Sequence, residues 1–172
     1  MRKAKKLGSE AMGKEVKTNA MRFLDKNKVS YEMHLYESDG FMDGVSVAKK
    51  LSQPLEKTFK TLVAQGKTKN YYVFVIPVAE EVDMKKAAKA VGEKSVELLP
   101  VKELTAVTGY VRGGCSPIGM KKQFPTVIHE SAGEQDTIMV SGGRLGSQIE
   151  LNPEELAKVI RAEFADIIMK EE

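Results

Sequence analysis

Two apolar runs, Phe59-Lys60-Thr61-Leu62-Val63-Ala64 and Tyr71-Tyr72-Val73-Phe74-Val75-Ile76-Pro77-Val78, flank a polar stretch from Gln65 to Asn70. This pairing narrows the possible folds more than any other feature. The runs are rich in β-branched and aromatic residues, and the stretch between them carries lysine, glycine and asparagine, so they predict a β-hairpin.

Helical patterns lie on both sides of the hairpin. Ala20, Phe23 and Leu24 share one side of a predicted helix from Thr18 to about Lys28, with Thr18 or Asn19 as N-cap. Tyr31, Met33 and Leu35 alternate with Glu32, His34 and Tyr36, which predicts a strand with an apolar face and Tyr36 on the polar side. Asp43 is placed to cap a helix to about Leu51 with Val45, Val47, Ala48 and Leu51 on its apolar side, and Pro54 stops it. Further helices are predicted from Asp83 to Gly92 and from Pro100 to about Thr108.

Beyond Thr108 two glycine clusters interrupt regular structure: Gly109 to Gly119, and Ser141 to Gly146. Strands are predicted near Thr126–His129, Thr137–Val140 and Gln148–Leu151. A last helix, capped by Asn152 with Pro153 as its first residue, is predicted to carry Leu156, Val159, Ile160, Phe164, Ile167 and Ile168 as one apolar stripe. Strands and helices interleaved unevenly favour a mixed α+β domain over a doubly wound one.

With 172 residues the chain is long enough for one core, which at this size buries about 70% of the surface the unfolded chain exposes. A single cysteine excludes an internal disulfide, and no Cys/His cluster has zinc spacing. No apolar run reaches the roughly 18–20 residues that span a bilayer, and the N-terminus lacks the apolar stretch of a signal peptide, so a cytoplasmic protein is expected. Residues 1–17 hold Arg2, Lys3, Lys5, Lys6, Lys14 and Lys17 against Glu10 and Glu15, a local +4 within a chain of net +3, which leaves −1 on residues 18–172. The expected organisation is a basic arm over 1–17 and one folded domain over 18–172, whose body does not attract nucleic acid by bulk charge.

Common catalytic templates fail. Gly114-Cys115-Ser116-Pro117-Ile118-Gly119-Met120-Lys121 has phosphate-loop glycine spacing, but Met120 stands where lysine must follow. Gly142-Gly143-Arg144-Leu145-Gly146 lacks the dinucleotide pattern, and Ser116 sits in no nucleophile elbow. His34 and His129 lie in predicted strands with no acidic partner at an obvious spacing, so no triad is proposed. A lone Cys115 reads as a small buried residue. What remains is Lys60 inside an apolar strand beside glycine turns. A lysine with bare backbone N–H groups is an anion or ester site, whereas a snorkelling surface lysine and ordinary turn glycines are the plainer alternative.

The strings Phe59-Lys60-Thr61-Leu62-Val63, Gly109 to Gly119, Pro125-Thr126-Val127-Ile128 and Val140-Ser141-Gly142-Gly143-Arg144-Leu145-Gly146, in that order and spacing, resemble the YbaK/EbsC family from about residue 18 onward. Its members are similar to the inserted editing domain of bacterial prolyl-tRNA synthetase and deacylate mischarged Cys-tRNA(Pro) in trans. The resemblance implies a single-domain, mixed, barrel-like sheet surrounded by helices. It implies that Lys60 is the essential catalytic residue, with Thr61 beside it and Tyr36 lining the pocket. Gly113, Gly114 and Ser116 are expected to face the aminoacyl ester, and Ser141 and Gly142 to border it.

The activity so implied is cleavage of Cys-tRNA(Pro), with Cys-tRNA(Cys) as a further substrate, in which the cysteinyl thiol attacks its own ester carbonyl. Such a reaction needs no enzyme base, no metal and no organic cofactor. Lys60 then binds the terminal phosphate or ribose, or polarises the carbonyl. A transient complex with prolyl-tRNA synthetase is expected to supply tRNA affinity, and no membrane or DNA partner is expected. Two alternatives stay open: a non-catalytic pocket for a small anion or nucleotide, and an editing domain for another ester such as Ala-tRNA(Pro).

Overall fold

The computed structural model describes residues 17–170. The basic segment assigned to residues 1–17 lies outside them except for Lys17, which pairs with Asp25.

In chain order the elements are helix α1 (Asn19–Lys26), β1 (Glu32–Leu35), α2 (Gly44–Lys50), a 3₁₀ turn (Leu55–Lys57), β2 (Phe59–Gly66) and β3 (Tyr71–Pro77). They continue with α3 (Met84–Val91), β4 (Val96–Leu98), α4 (Val101–Thr108), β5 (Thr126–His129), a 3₁₀ turn (Glu130–Glu134), β6 (Ile138–Ser141), β7 (Ser147–Leu151), α5 (Pro153–Ile160) and β8 (Glu163–Ala165). The predicted hairpin is the antiparallel pair β2–β3, registered from Phe59 opposite Pro77 to Gln65 opposite Tyr71. It forms the middle of a five-stranded mixed sheet of order β4-β2-β3-β5-β8, in which β5 runs parallel to both β3 and β8. A second, antiparallel sheet has the order β1-β7-β6. A parallel bridge between Thr58 and Met139 joins the two sheets, so the barrel-like sheet takes the form of two linked sheets and is not closed.

β3 shows why its sequence has no polar alternation. Val73 and Val75 enter one apolar cluster, with Leu24 of α1, Ile149 of β7 and Leu156 of α5. Tyr72, Phe74 and Ile76 enter a second, with Ala87 and Ala88 of α3 and Ile167. Both faces of the sheet are covered, so successive side chains are all apolar.

The helix starts match the capping residues in the sequence. Thr18 accepts from the Met21 N–H at 3.2 Å, Asp43 from Ser46 at 2.8 Å, and Asn152 from Glu154 and Glu155 at 2.9 Å. Each satisfies an N–H group that has no intrahelical partner.

Two expectations are corrected, and one strand was not expected. The last helix does not carry Phe164, Ile167 and Ile168: it ends at Ile160, where Arg161 takes left-handed backbone with φ 57° and the Ala162 N–H closes the end on the Ala157 carbonyl at 2.7 Å. The chain then turns and Glu163–Ala165 pairs with β5, covering an edge that would otherwise lie open. The apolar face expected of β1 is not buried at Leu35, which is 43% exposed, because among the described residues β1 is an edge strand paired only with β7. β4 had no sequence signature, since only Val96 of its three residues is buried.

Candidate functional site

A cleft of about 390 Å³ opens between the start of β2, the segment leading into α2, the first glycine turn and the ends of β6 and β7. That volume falls in the usual range for small-ligand sites. Geometry explains its position. β4 pairs only with Ala64–Gly66, so the first half of β2 has β3 on one side and no strand neighbour in its sheet on the other. The Leu99 N–H donates to the Val63 carbonyl at 2.8 Å, which sets odd-numbered β2 residues facing away from β3. By alternation the Thr61 backbone groups face the same side, away from β3.

Lys60, Thr61, Gly113 and Ser141, four of the residues singled out in the sequence, line this cleft. Lys60 is half-buried, and no carboxylate lies within salt-bridge distance of it among the described residues. The Thr61 Oγ1 is buried without a hydrogen-bond partner. The Gly113 N–H also has no partner among the described residues. Ser141 is nearly buried, and its hydroxyl oxygen accepts from the Gly143 N–H at 3.2 Å.

The other four do not reach the cleft wall. Tyr36 lies one residue past β1, its N–H donating to the Gly146 carbonyl at 2.9 Å. Gly114 is buried beneath the second glycine turn. Ser116 is fully buried, its oxygen accepting from the Ile118 N–H at 3.3 Å. Gly142 is also buried, its N–H donating to the Ser147 carbonyl at 2.8 Å. These residues shape the turns behind the site.

Phe41, Arg112, Cys115 and Gln148 are among the lining residues that escaped the sequence reading of the pocket. Phe41 had a signal, as an aromatic alone in a polar loop just before the Asp43 cap. Gln148 had none, because a glutamine in a strand is unremarked until its neighbours are known. It is 6% exposed and its Oε1 has no partner among the described residues, which is costly unless a ligand donates to it. Asp43, the lining carboxylate, is committed to capping α2; the Ser46 N–H holds its carboxyl below the ordinary range and so keeps it ionised.

Cys115 sits on the wall with its thiol pushed up to about 12 by burial, so it stays protonated and is a poor nucleophile at neutral pH. His34 has an acidic partner after all: its ring Nε2 lies 2.9 Å from Glu150 Oε1. Lys57 also pairs with Glu150 at 2.7 Å, outside the cleft wall. His129 is buried, and its Nδ1 accepts from the Ile167 N–H at 3.3 Å. Among the described residues, no three His, Cys, Asp or Glu side chains gather as a metal cluster. The arrangement is a half-dry cleft with two cations, Lys60 and Arg112, neither neutralised by a described carboxylate. It is suited to an anionic or ester-bearing ligand.

The cleft is an anion- or ester-accepting pocket on a scaffold of two linked sheets. The family profile described as aminoacyl-tRNA editing domain matches residues 42–159. An Enterococcus faecalis protein, EbsC, named as a proposed Cys-tRNA(Pro)/Cys-tRNA(Cys) deacylase, is 48% identical over 156 residues, which cover 90% of this chain and 95% of that protein. The chain belongs to the aminoacyl-tRNA editing domain family.

The fold agrees. A solved protein described as a proposed trans-editing enzyme for prolyl-tRNA synthetase superposes with TM-score 0.79 at 20% identity, over 88% of this chain and 96% of that one. A second, described only as hypothetical, superposes with TM-score 0.82 at 20% identity, over 88% and 100%. No described helix is long and apolar enough to cross a membrane.

Proposed function

We propose that this protein is a trans-editing deacylase that cleaves the aminoacyl ester of mischarged Cys-tRNA(Pro), and of Cys-tRNA(Cys). The carrying observation is the cleft: it collects two cations, Lys60 and Arg112, and the orphaned Thr61 and Gln148 side-chain oxygens beside the first half of β2, yet holds no paired nucleophile and base among its lining residues. An aminoacyl ester is already activated. A site that orients it and stabilises charge on its carbonyl oxygen does most of what catalysis requires.

The missing nucleophile comes with the substrate. The cysteinyl sulfur attacks the ester carbonyl, the C–S bond forms as the bond to the ribose oxygen breaks, and the thiol proton passes to the departing ribose hydroxyl. Water then opens the cyclic thioester to release cysteine. Lys60 serves either as the cation that polarises the carbonyl or as the contact to the terminal phosphate or ribose. The Thr61 N–H lies on the side of β2 away from β3, the Gly113 N–H has no partner among the described residues, and the Gln148 side-chain oxygen is an acceptor for the substrate's ammonium or thiol.

Need for such a site follows from size discrimination. A synthetic pocket separates amino acids as close in size as cysteine and proline by only about 1–3 kcal/mol, so a second site must remove the error. With a net charge of −1 on residues 18–172, the folded body binds tRNA weakly, and prolyl-tRNA synthetase is the partner that holds it. The test is a panel of cysteinyl, S-methylcysteinyl, alanyl and seryl esters of tRNA(Pro), with and without the synthetase. Thiol-assisted cleavage predicts hydrolysis of the cysteinyl ester alone, faster with the synthetase. Cleavage of the alanyl ester moves the protein to another editing class, and ligand binding without any cleavage makes the cleft a non-catalytic anion site.

A further inference from the structure

Phe41 is 52% exposed, and the Arg112 guanidinium carbon lies 4.0 Å from its ring centroid. Both residues line the same cleft as Lys60, and with Asp43 they are its exposed members and mark its mouth. Their pairing is imposed by the backbone. Gly113 has φ +85°, and a Cβ there would meet Leu145 Cδ2 at 2.7 Å and Phe41 Cδ1 at 3.1 Å, so the bare glycine lets the turn press onto the phenyl ring and hold Arg112 above it. No described carboxylate neutralises Arg112. A planar cation stacked on a half-exposed aromatic ring, with Lys60 in the same cleft, is the surface on which an unpaired nucleobase next to a phosphate settles.

We propose that Phe41 and Arg112 form the seat for the terminal adenine of the tRNA acceptor end. This rests on the editing reading above. With the ester beside Lys60, a cleft of about 390 Å³ takes the aminoacyl group and its ribose and leaves the attached base at the mouth. That base is the adenine of the esterified nucleotide, the nearest base to the reacting carbonyl. Seating it fixes the ribose and so the angle at which the carbonyl meets Lys60. It also makes the site prefer a tRNA end to a free aminoacyl ester.

The experiment uses an uncharged, fluorescein-labelled acceptor-stem hairpin ending in single-stranded CCA, and the same hairpin whose last nucleotide lacks its base. Anisotropy titrations compare wild-type protein, Phe41→Ala and Arg112→Lys. Removing the base is expected to weaken wild-type binding about tenfold or more, the usual size of one base–aromatic stack. Each variant is expected to lose a similar factor on the intact hairpin and to bind both RNAs alike. Arg112→Lys keeps the charge, so its loss reports the planar stack and not phosphate attraction. Variants that discriminate between the RNAs as well as wild type, or a wild type that does not discriminate, overturn the proposal. Because the RNA carries no ester, a wild type that binds it through the base but cleaves no aminoacyl-tRNA sinks the deacylase reading and leaves the adenine seat standing.

Discussion

Gly114 and Arg144 are in backbone contact: a Cβ on Gly114 would lie 2.8 Å from the Arg144 Cα and 2.9 Å from its carbonyl carbon. The two glycine clusters, some thirty residues apart in sequence, are therefore one packed unit behind the cleft. The Thr18 hydroxyl donates to the Gly142 carbonyl at 2.5 Å and ties α1 to the same unit.

Gly114→Ala is expected to push the first turn off the second, since backbone cannot move aside as a side-chain tip can. Overpacking of this kind costs about 1–3 kcal/mol. Thermal unfolding is expected to show that loss, together with slower deacylation because Gly113 and Arg112 shift with the turn. An unchanged melting temperature and rate would separate the two clusters.

Glu150 gives a pH signature. Burial alone would raise its carboxyl, but hydrogen bonds from Lys57, Thr137 and His34 outweigh it and hold the group at about 2, below the ordinary 4.5. A lowered folded-state pKa stabilises above the unfolded value, and that stability is lost as pH falls from about 4.5 through about 2. Glu150→Gln is expected to destabilise by about 2 kcal/mol at pH 7, leaving Lys57 without its counter-charge. Urea unfolding at pH 7 and pH 3 should show the gap to wild type narrowing at the lower pH. A gap that stays constant or widens contradicts this account.

Cys115 is expected to be inert. With its thiol pushed from 9.0 to about 12 by burial, alkylation by iodoacetamide at pH 8 should be at least about a hundredfold slower than in urea-unfolded protein. Similar rates in the two states would mean an accessible thiolate on the cleft wall, and Cys115 would then compete for the role given to the substrate thiol.

Local signals in the sequence carried much of this structure. The hairpin, the caps at Thr18, Asp43, Asp83 and Asn152, and the marking of Lys60 as a cation beside glycine turns follow from short-range chemistry, whereas Thr61, Gly113 and Ser141 entered only through the family resemblance. The errors were non-local. Phe164 and Ile167 fit a helical stripe by spacing, but the open edge of β5 took Glu163–Ala165 as a strand. His34 and Glu150 are 116 positions apart, and only the β1–β7 register brings them together. Ser116 and Gly142 lie in glycine turns that the resemblance turned toward the ester, whereas packing between the turns buries them. Arg112 gained its meaning only when the Gly113 backbone set it over Phe41.

Single-turnover hydrolysis of Cys-tRNA(Pro) by wild type and Lys60→Ala tests the central claim most directly. Lys60 is the β2 cation lining the cleft and has no described counter-charge, and removing an electrostatic contact that acts on the transition state typically costs 10²–10³-fold in rate. The account predicts rapid cleavage by wild type and a loss of about that size in the variant, with an unchanged melting temperature. Cleavage by Lys60→Ala at the wild-type rate would contradict it.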